Sequence, residues 1–255
     1  MIIMEFYSEF SKNYDKIFPL NSQKLDLIDN TFKDLNKKRD KIELLDAGCG
    51  TGSYALALAK KGYQVKAIDL DAEMISIAES KMKKERVEVD FYRLGILNLK
   101  EKFKAASFDG IYIIGNVLVH LKKEEIKEFL DLAAELLKEN GKIFIQIVNY
   151  HRILELNLDG LPTIYSKDDS VRLERNYEYD ETENIIYFKT KLIDHFDDQI
   201  LTENEIELCP LCKSELEADL KAAGFKVENV YGSSGGDQYR ELSSVPLIVT
   251  AQKND

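Results

Sequence analysis

The stretch Leu44-Leu45-Asp46-Ala47-Gly48-Cys49-Gly50-Thr51-Gly52, followed by Ala67-Ile68-Asp69-Leu70-Asp71, decides how this chain folds. A short apolar run ends in three glycines and opens a helix. Glycine permits positive φ and close approach of a ligand to the backbone. A helix N-terminus directs free N–H groups at whatever occupies the turn. Asp69 follows Gly48 by 21 residues, at the end of the next strand-like run. That spacing places a carboxylate where it can accept both hydroxyls of a ribose.

Outward from this stretch, strands and helices alternate. Ile42–Ala47, Tyr63–Leu70, Val87–Tyr92, Phe108–Ile114 and Lys142–Val148 read as strands. Ser53 to Lys61, Ala72 to Lys84 and Lys122 to Lys138 read as helices, the last closed by Asn140-Gly141. Strands apolar on both faces and alternating with helices predict a parallel sheet covered on both sides. Before them, Met1 to about Arg39 is helical in pattern, with a stripe at Phe6, Phe10, Tyr14 and Ile17–Phe18, a break at Pro19, and a second stripe through Leu25, Ile28, Phe32 and Leu35. After Tyr150 the alternation stops. Val171–Tyr179, Ile185–Ile193 and Ile200–Leu208 read as antiparallel strands, the first two joined by the turn Asp180–Asn184. It resumes with a helix from Ser214 to Ala223 and strands at Lys226–Tyr231 and Val245–Gln252. The expected organisation is one domain, 1–149 with 210–255, including N-terminal helices over 1–40 and interrupted by an antiparallel insertion at 150–209.

Two cofactor classes suit the turn. A dinucleotide site uses G-x-G-x-x-G, and here the third glycine of that pattern is replaced by Ser53. Asp46 also precedes the turn, and a carboxylate held close to a pyrophosphate repels it. A carboxylate there suits a ligand carrying an ammonium group, and S-adenosylmethionine combines an ammonium with ribose and adenine.

These residues resemble the class I S-adenosylmethionine-dependent methyltransferases. Leu45–Gly52 is similar to the first motif of that family, and Asp69 to the acid after its second strand. The resemblance covers residues 42–150 and, more loosely, 214–253 through Ala223-Gly224-Phe225. It implies an α/β fold: a doubly wound, seven-stranded, mostly parallel sheet whose last strand is antiparallel, here with an inserted antiparallel β lid. Within the family, Gly115-Asn116-Val117-Leu118-Val119-His120-Leu121 and Asn149-Tyr150 resemble the small-molecule, glycine N-methyltransferase-like group. The implied cofactor set is Tyr14, Asp46, Ala47, Gly48, Gly50, Gly52, Asp69, Leu70, Met74, Gly95, Ile96 and Asn116. The implied acceptor-side, catalytic set is His120, Asn149, Tyr150 and Arg152. Gly95 stands where the family has an acid toward adenine, so backbone, Asn98 or water is left to meet the adenine amino group.

Methyl transfer is an in-line displacement, for which alignment and exclusion of water matter most. His120 reads either as a base or as a cap for the helix near Lys122. Arg152 is suited to clamp a carboxylate, with Arg172, Arg175, Tyr177 and Tyr179 as rivals. Cys209-Pro-Leu-Cys212 has redox or metal spacing but lacks further paired ligands, so ordinary packing and no metal are expected. The charge balance, 35 Lys+Arg against 46 Asp+Glu, gives −11 and speaks against nucleic acid as the partner. Three Cys suggest a reducing, cytoplasmic setting, and no run is long and apolar enough to span a membrane. The expectation is an enzyme methylating a small-molecule acceptor, an amine or amino acid, as monomer or homodimer. An RNA or protein methyltransferase and a non-catalytic cofactor-binding protein are the alternatives.

Overall fold

The computed structural model of the chain describes residues 2–35 and 37–254, without the side chains of residues 2–9. Met1, Asn36, Asp255 and the Phe6 side chain of the first stripe lie outside the described residues. Helices α1 (Ile2–Ile17) and α2 (Ser22–Lys33) precede β1 (Glu43–Ala47), α3 (Ser53–Lys60), β2 (Gln64–Asp69), α4 (Ala72–Glu85), β3 (Asp90–Arg93), β4 (Phe108–Ile113), α5 (Lys123–Leu136) and β5 (Leu137–Val148). Then come α6 (Tyr150–Glu155), β6 (Gly160–Tyr165), β7 (Val171–Asp180), β8 (Ile185–Asp194), β9 (Ile200–Leu208), α7 (Lys213–Ala222), β10 (Phe225–Tyr231) and β11 (Pro246–Lys253).

The larger sheet has seven strands in the order β10-β11-β5-β4-β1-β2-β3. β11 runs antiparallel to both its neighbours, and the other described pairings are parallel. A second sheet, β6-β7-β8-β9, is antiparallel throughout. The expected fold class is therefore the observed one. Core residues cover both faces of the larger sheet. Leu45, Ile111, Ile145 and Phe129 belong to one cluster, and Leu44, Tyr112, Phe144 and Phe32 to the other. No described helix is long and apolar enough to cross a membrane.

Three boundaries differ from the sequence reading. Asn140-Gly141 does not close a helix. α5 ends at Leu136, and Leu137 already pairs with Phe108, so Asn140, at φ 60°, sits at an irregularity inside β5. β3 begins at Asp90 rather than Val87, because pairing with β2 starts only at Lys66↔Asp90. β6 and α6 were not expected; Pro162 within Gly160–Tyr165 masks an edge strand.

α2 is capped by Asn21, whose side chain accepts the Lys24 N–H, and lies directly on β4. A Cβ added at Gly110 would overlap the Phe32 ring. Because Phe32 meets Gly110 midway along β4, the N-terminus of α2 is carried to the C-terminal edge of the sheet. Gly110→Ala is expected to destabilise the fold by about 1–3 kcal/mol through overpacking. A denaturation midpoint equal to that of the wild type would show that α2 is not seated on β4 in this way.

Candidate functional site

The C-terminal edge of a parallel sheet is where α/β folds bind ligands, and the glycine turn lies there. The N–H groups of Gly48 and Cys49 both donate to the Ile68 carbonyl, at 2.9 and 2.8 Å, fixing the turn against the end of β2. Gly48 has φ 88°, and a Cβ there would sit 2.7 Å from a Val117 methyl, since the single turn Val117–His120 after β4 passes over it. Val117 therefore leaves no room for a side chain at Gly48, and α3 begins immediately behind the turn.

Two carboxyl groups line this edge. Asp69 accepts the Gly50 N–H at 2.7 Å and the Asp71 N–H at 3.0 Å, one on each oxygen. Burial pushes its pKa up against those two donors. A carboxylate offers about four acceptor sites, so lone pairs remain on both oxygens for ribose hydroxyls. Asp46 is only 1% exposed, and its Oδ1 has no hydrogen-bond partner. Burial raises its pKa to about 8, the adjacent Tyr112 hydroxyl lowers it, and Asp69 adds to the rise. A buried, unpartnered carboxyl is costly unless a cation meets it. Its environment fits the ammonium group of S-adenosylmethionine.

α1 forms a roof over the turn. The Tyr14 ring lies 3.5 Å from where a Cβ on Gly50 would stand. Burial and the nearby Asp69 raise the Tyr14 pKa, so the ring stays neutral. Asp15 ties the helix down: it accepts Thr51 Oγ1 at 2.6 Å and Ser53 Oγ at 3.1 Å, and pairs with Lys81 Nζ at 2.8 Å. Lys81 also donates to Ser53 Oγ at 2.7 Å.

Toward β3, Leu70 is 71% exposed and neighbours Gly95, whose imagined Cβ would be 3.8 Å from a Leu70 methyl. Leu70, Gly95 and Ile96 thus line the part of the edge beyond Asp69, and Met74 is buried one turn into α4. Asn98, open in the sequence as an adenine partner, donates its amide to Glu101 at 2.7 Å.

Several residues expected at the site, Asn116 of the cofactor set and Asn149 and Tyr150 of the acceptor-side set, serve the frame. The Asn116 amide donates to the Tyr150 hydroxyl at 2.7 Å, and its oxygen accepts the Val148 N–H at 3.0 Å, joining the ends of β4 and β5. Tyr150 is fully buried. Asn149 is 1% exposed; it donates to the Glu241 and Ser244 carbonyls and accepts from Tyr239 and from the Arg152 N–H. Arg152 is half-buried on α6. His120 is exposed on one side and packed against protein on the other, which pushes its pKa down. It does not cap α5, where the Glu125 carboxylate accepts the Lys122 N–H at 2.8 Å.

Sequence reading missed four polar residues at this edge: Asp15, Lys81, Lys24 and Gln146. Lys24 Nζ donates to Gln146 Oε1 at 2.9 Å, and the same oxygen accepts the Gly115 N–H at 3.1 Å. Burial lowers the Lys24 pKa to about 8. None carries a motif signal; Asp15, beside Tyr14 and off the apolar stripe, offered the one available clue. A surface hollow of about 670 Å³ bounded by Glu43, Tyr63, Val65 and Val89 lies at the opposite edge, where β1 and β2 begin, away from both carboxyl groups.

Comparison with known proteins agrees with this geometry. Residues 44–141 match the family model described as a methyltransferase domain. A Geobacillus protein named as a methyltransferase is 29% identical over 65% of this chain and 66% of its own length. The glycine/sarcosine N-methyltransferase of Aphanothece halophytica is 25% identical over 89% of this chain and 82% of its own. A crystal structure of an S-adenosylmethionine-dependent methyltransferase from Clostridium acetobutylicum superposes with TM-score 0.80 at 19% identity, covering 98% of this chain and 99% of that one. Residues 44–141 are thus a methyltransferase domain, the chain as a whole has the fold of S-adenosylmethionine-dependent methyltransferases, and S-adenosylmethionine is the cofactor that the two together support.

If Asp15 pins α1 to the turn, Asp15→Ala is expected to speed hydrogen exchange across residues 10–17 by about tenfold or more, with β4 and β5 unchanged. Equal exchange in α1 of both proteins, measured by mass spectrometry, would remove Asp15 from this role.

Proposed function

We propose that the chain methylates a small-molecule acceptor, an amine or amino acid. The observation that carries this reading is the pairing of Asp69, with lone pairs to spare, and Asp46, buried with its Oδ1 unpartnered, at one glycine turn. The glycine/sarcosine N-methyltransferase relative supports an amine acceptor. Enclosure supports a small one: α1 roofs the turn through Asp15, and Lys16 pairs with Asp168 in the turn between β6 and β7 at 3.4 Å, tying the same helix to the second sheet.

When bound, the cofactor supplies an electrophilic methyl group on a sulfonium. Asp69 accepts the ribose hydroxyls. Asp46, once ionised, meets the ammonium. Leu70 and Gly95–Ile96 cover the adenine, and Tyr14 closes over the turn and keeps water away. Asn116, Asn149 and Tyr150 hold the ends of β4 and β5, and so position the acceptor indirectly. His120, neutral at pH 7, is suited to take a proton from an acceptor ammonium before attack. Arg152, half-buried at the exit of β5, flanks the acceptor.

Asp69→Ala is expected to weaken S-adenosylhomocysteine binding by about tenfold or more, since ribose hydroxyls lose their acceptor in a partly buried site. Unchanged affinity by calorimetry excludes Asp69 from the site, and no binding by the wild-type chain overturns the reading. The Asp46 carboxyl, with its pKa raised to about 8, is largely protonated at pH 7 and must ionise to meet an ammonium. Binding at pH 7 is therefore expected to release close to one proton, and affinity to rise as pH climbs from 6 toward 8. Asp46→Asn abolishes both effects; binding heats independent of buffer ionisation enthalpy in the wild type would contradict the assignment.

A further inference from the structure

The inner face of the second sheet carries a feature that the cofactor site does not use. On β7, Val171, Leu173 and Tyr177 are buried, while Arg175 between them is half-buried. Register places Arg175 opposite Thr190 on β8, and Thr190 opposite Asn204 on β9. Residues directly opposite in an antiparallel ladder share a face, with Cβ atoms roughly 5 Å apart. Arg175, Thr190 and Asn204 therefore form one polar row. The row on one side is Leu173–Leu192–Thr202, and on the other Tyr177–Phe188–Ile206.

The flanking rows show where this polar row lies. Ile17 of α1 packs with Val171, Leu173 and Leu192. Tyr177 packs in the cluster that contains Tyr150, whose hydroxyl is held by Asn116 at the end of β4. The row thus spans the interval between α1, which carries Tyr14 over Gly50, and the ends of β4 and β5. That interval is where an acceptor must sit to reach a methyl group held at the glycine turn.

The row's bonding capacity is unspent. Arg175 Nη2 donates to the Pro162 carbonyl at 2.5 Å, but its Nε is buried without a partner. Among the described residues no carboxylate pairs with Arg175, although acids outnumber bases in this chain by 46 to 35. Neither Thr190 nor Asn204 makes a side-chain hydrogen bond within the described residues. Burial lowers the Arg175 pKa, with Tyr177 acting in the opposite sense. A desolvated guanidinium keeps its charge, so the missing element is an anion. Its planar fork matches a carboxylate, and the hydroxyl and amide beside it add neutral hydrogen bonds.

We infer that Arg175, Thr190 and Asn204 form the acceptor subsite and that the acceptor carries a carboxylate. This rests on the methyltransferase reading above and narrows its acceptor to an amine bearing a carboxylate. Arg175 takes the carboxylate-clamping role first considered for Arg152, whose guanidinium makes no side-chain hydrogen bond or ion pair among the described residues.

The test titrates sodium acetate and, separately, methylammonium chloride into the full chain saturated with S-adenosylhomocysteine. The backbone amide resonances of Thr190 and Asn204 are followed by heteronuclear NMR. Acetate is expected to shift both saturably in the millimolar range, while methylammonium leaves them in place. Arg175→Gln should weaken acetate by about tenfold or more with S-adenosylhomocysteine affinity kept within about twofold, and Asn204→Leu should weaken acetate severalfold. Equal acetate affinity in Arg175→Gln, or saturation by methylammonium, overturns the inference. Acetate binding that vanishes when S-adenosylhomocysteine is present also overturns it, because the cofactor's own carboxylate then fills the row. Should Arg175→Gln not fold, the acetate–methylammonium contrast in the wild type and the Asn204→Leu titration decide. Failure of the wild type to bind S-adenosylhomocysteine removes the underlying reading instead.

Discussion

Asp69 is committed twice before any ligand arrives. One oxygen takes the Gly50 N–H and the other the Asp71 N–H, so a single side chain fixes the glycine turn and the first turn of α4 relative to each other. Asp71 in turn caps α4 by accepting the Glu73 and Met74 N–H groups. The position of Leu70 between them, exposed to the edge, follows from these bonds. Most of what the site presents depends on this one carboxylate. Remove it, and the turn, the cap and the apolar platform lose their common reference.

α1 adds a second constraint, because it is held from two sides. Asp15 holds it to Thr51, Ser53 and Lys81 on the larger sheet's side. Ile17, buried among Val171, Leu173 and Leu192, holds it to the second sheet. The same helix therefore roofs the turn and seats the inserted sheet. Neither contact is strong alone, since Asp15 is part-exposed and its ion pair correspondingly screened. Together they make the enclosure of the edge a property of the N-terminal segment, outside the matched domain at 44–141.

The sheet was legible because its signals are local. Strands buried on both faces read as continuous apolar runs, and the glycine turn with Asp69 marks the edge that binds. The boundaries that moved depend on pairing. Val87–Val89 has strand composition but no strand partner among the described residues, and Asn140-Gly141 has the look of a helix stop but sits where β5 shifts register against β4. For site residues the limit is different. Asn116, Asn149 and Tyr150 stand where a ligand contact is expected, yet sequence cannot say that their polar atoms already bond to one another, to Val148 and to the 241–244 carbonyls. Asp15, Lys81 and the partners Thr190 and Asn204 of Arg175, itself one of the rivals named for a carboxylate clamp, were hidden for the converse reason: residues far apart in the chain meet only through helix docking or strand register.

Asp46 and Arg175 pose the same problem with opposite sign. Each carries an ionisable group with buried, unpartnered polar atoms in a chain that has many partners to offer. A fold shaped by stability alone would pair them or replace them with apolar side chains, which is often as stable as an ion pair. They are kept apart instead, one beneath the glycine turn and the other on the face of the second sheet. In the reading proposed above, the first meets the ammonium of the cofactor and the second a carboxylate on the acceptor. In that reading each reactant is anchored at one charge, the cofactor at Asp46 and the acceptor at Arg175, and the two anchors together set how the acceptor's nitrogen approaches the turn. Orientation is the larger part of what an in-line methyl transfer requires of its protein.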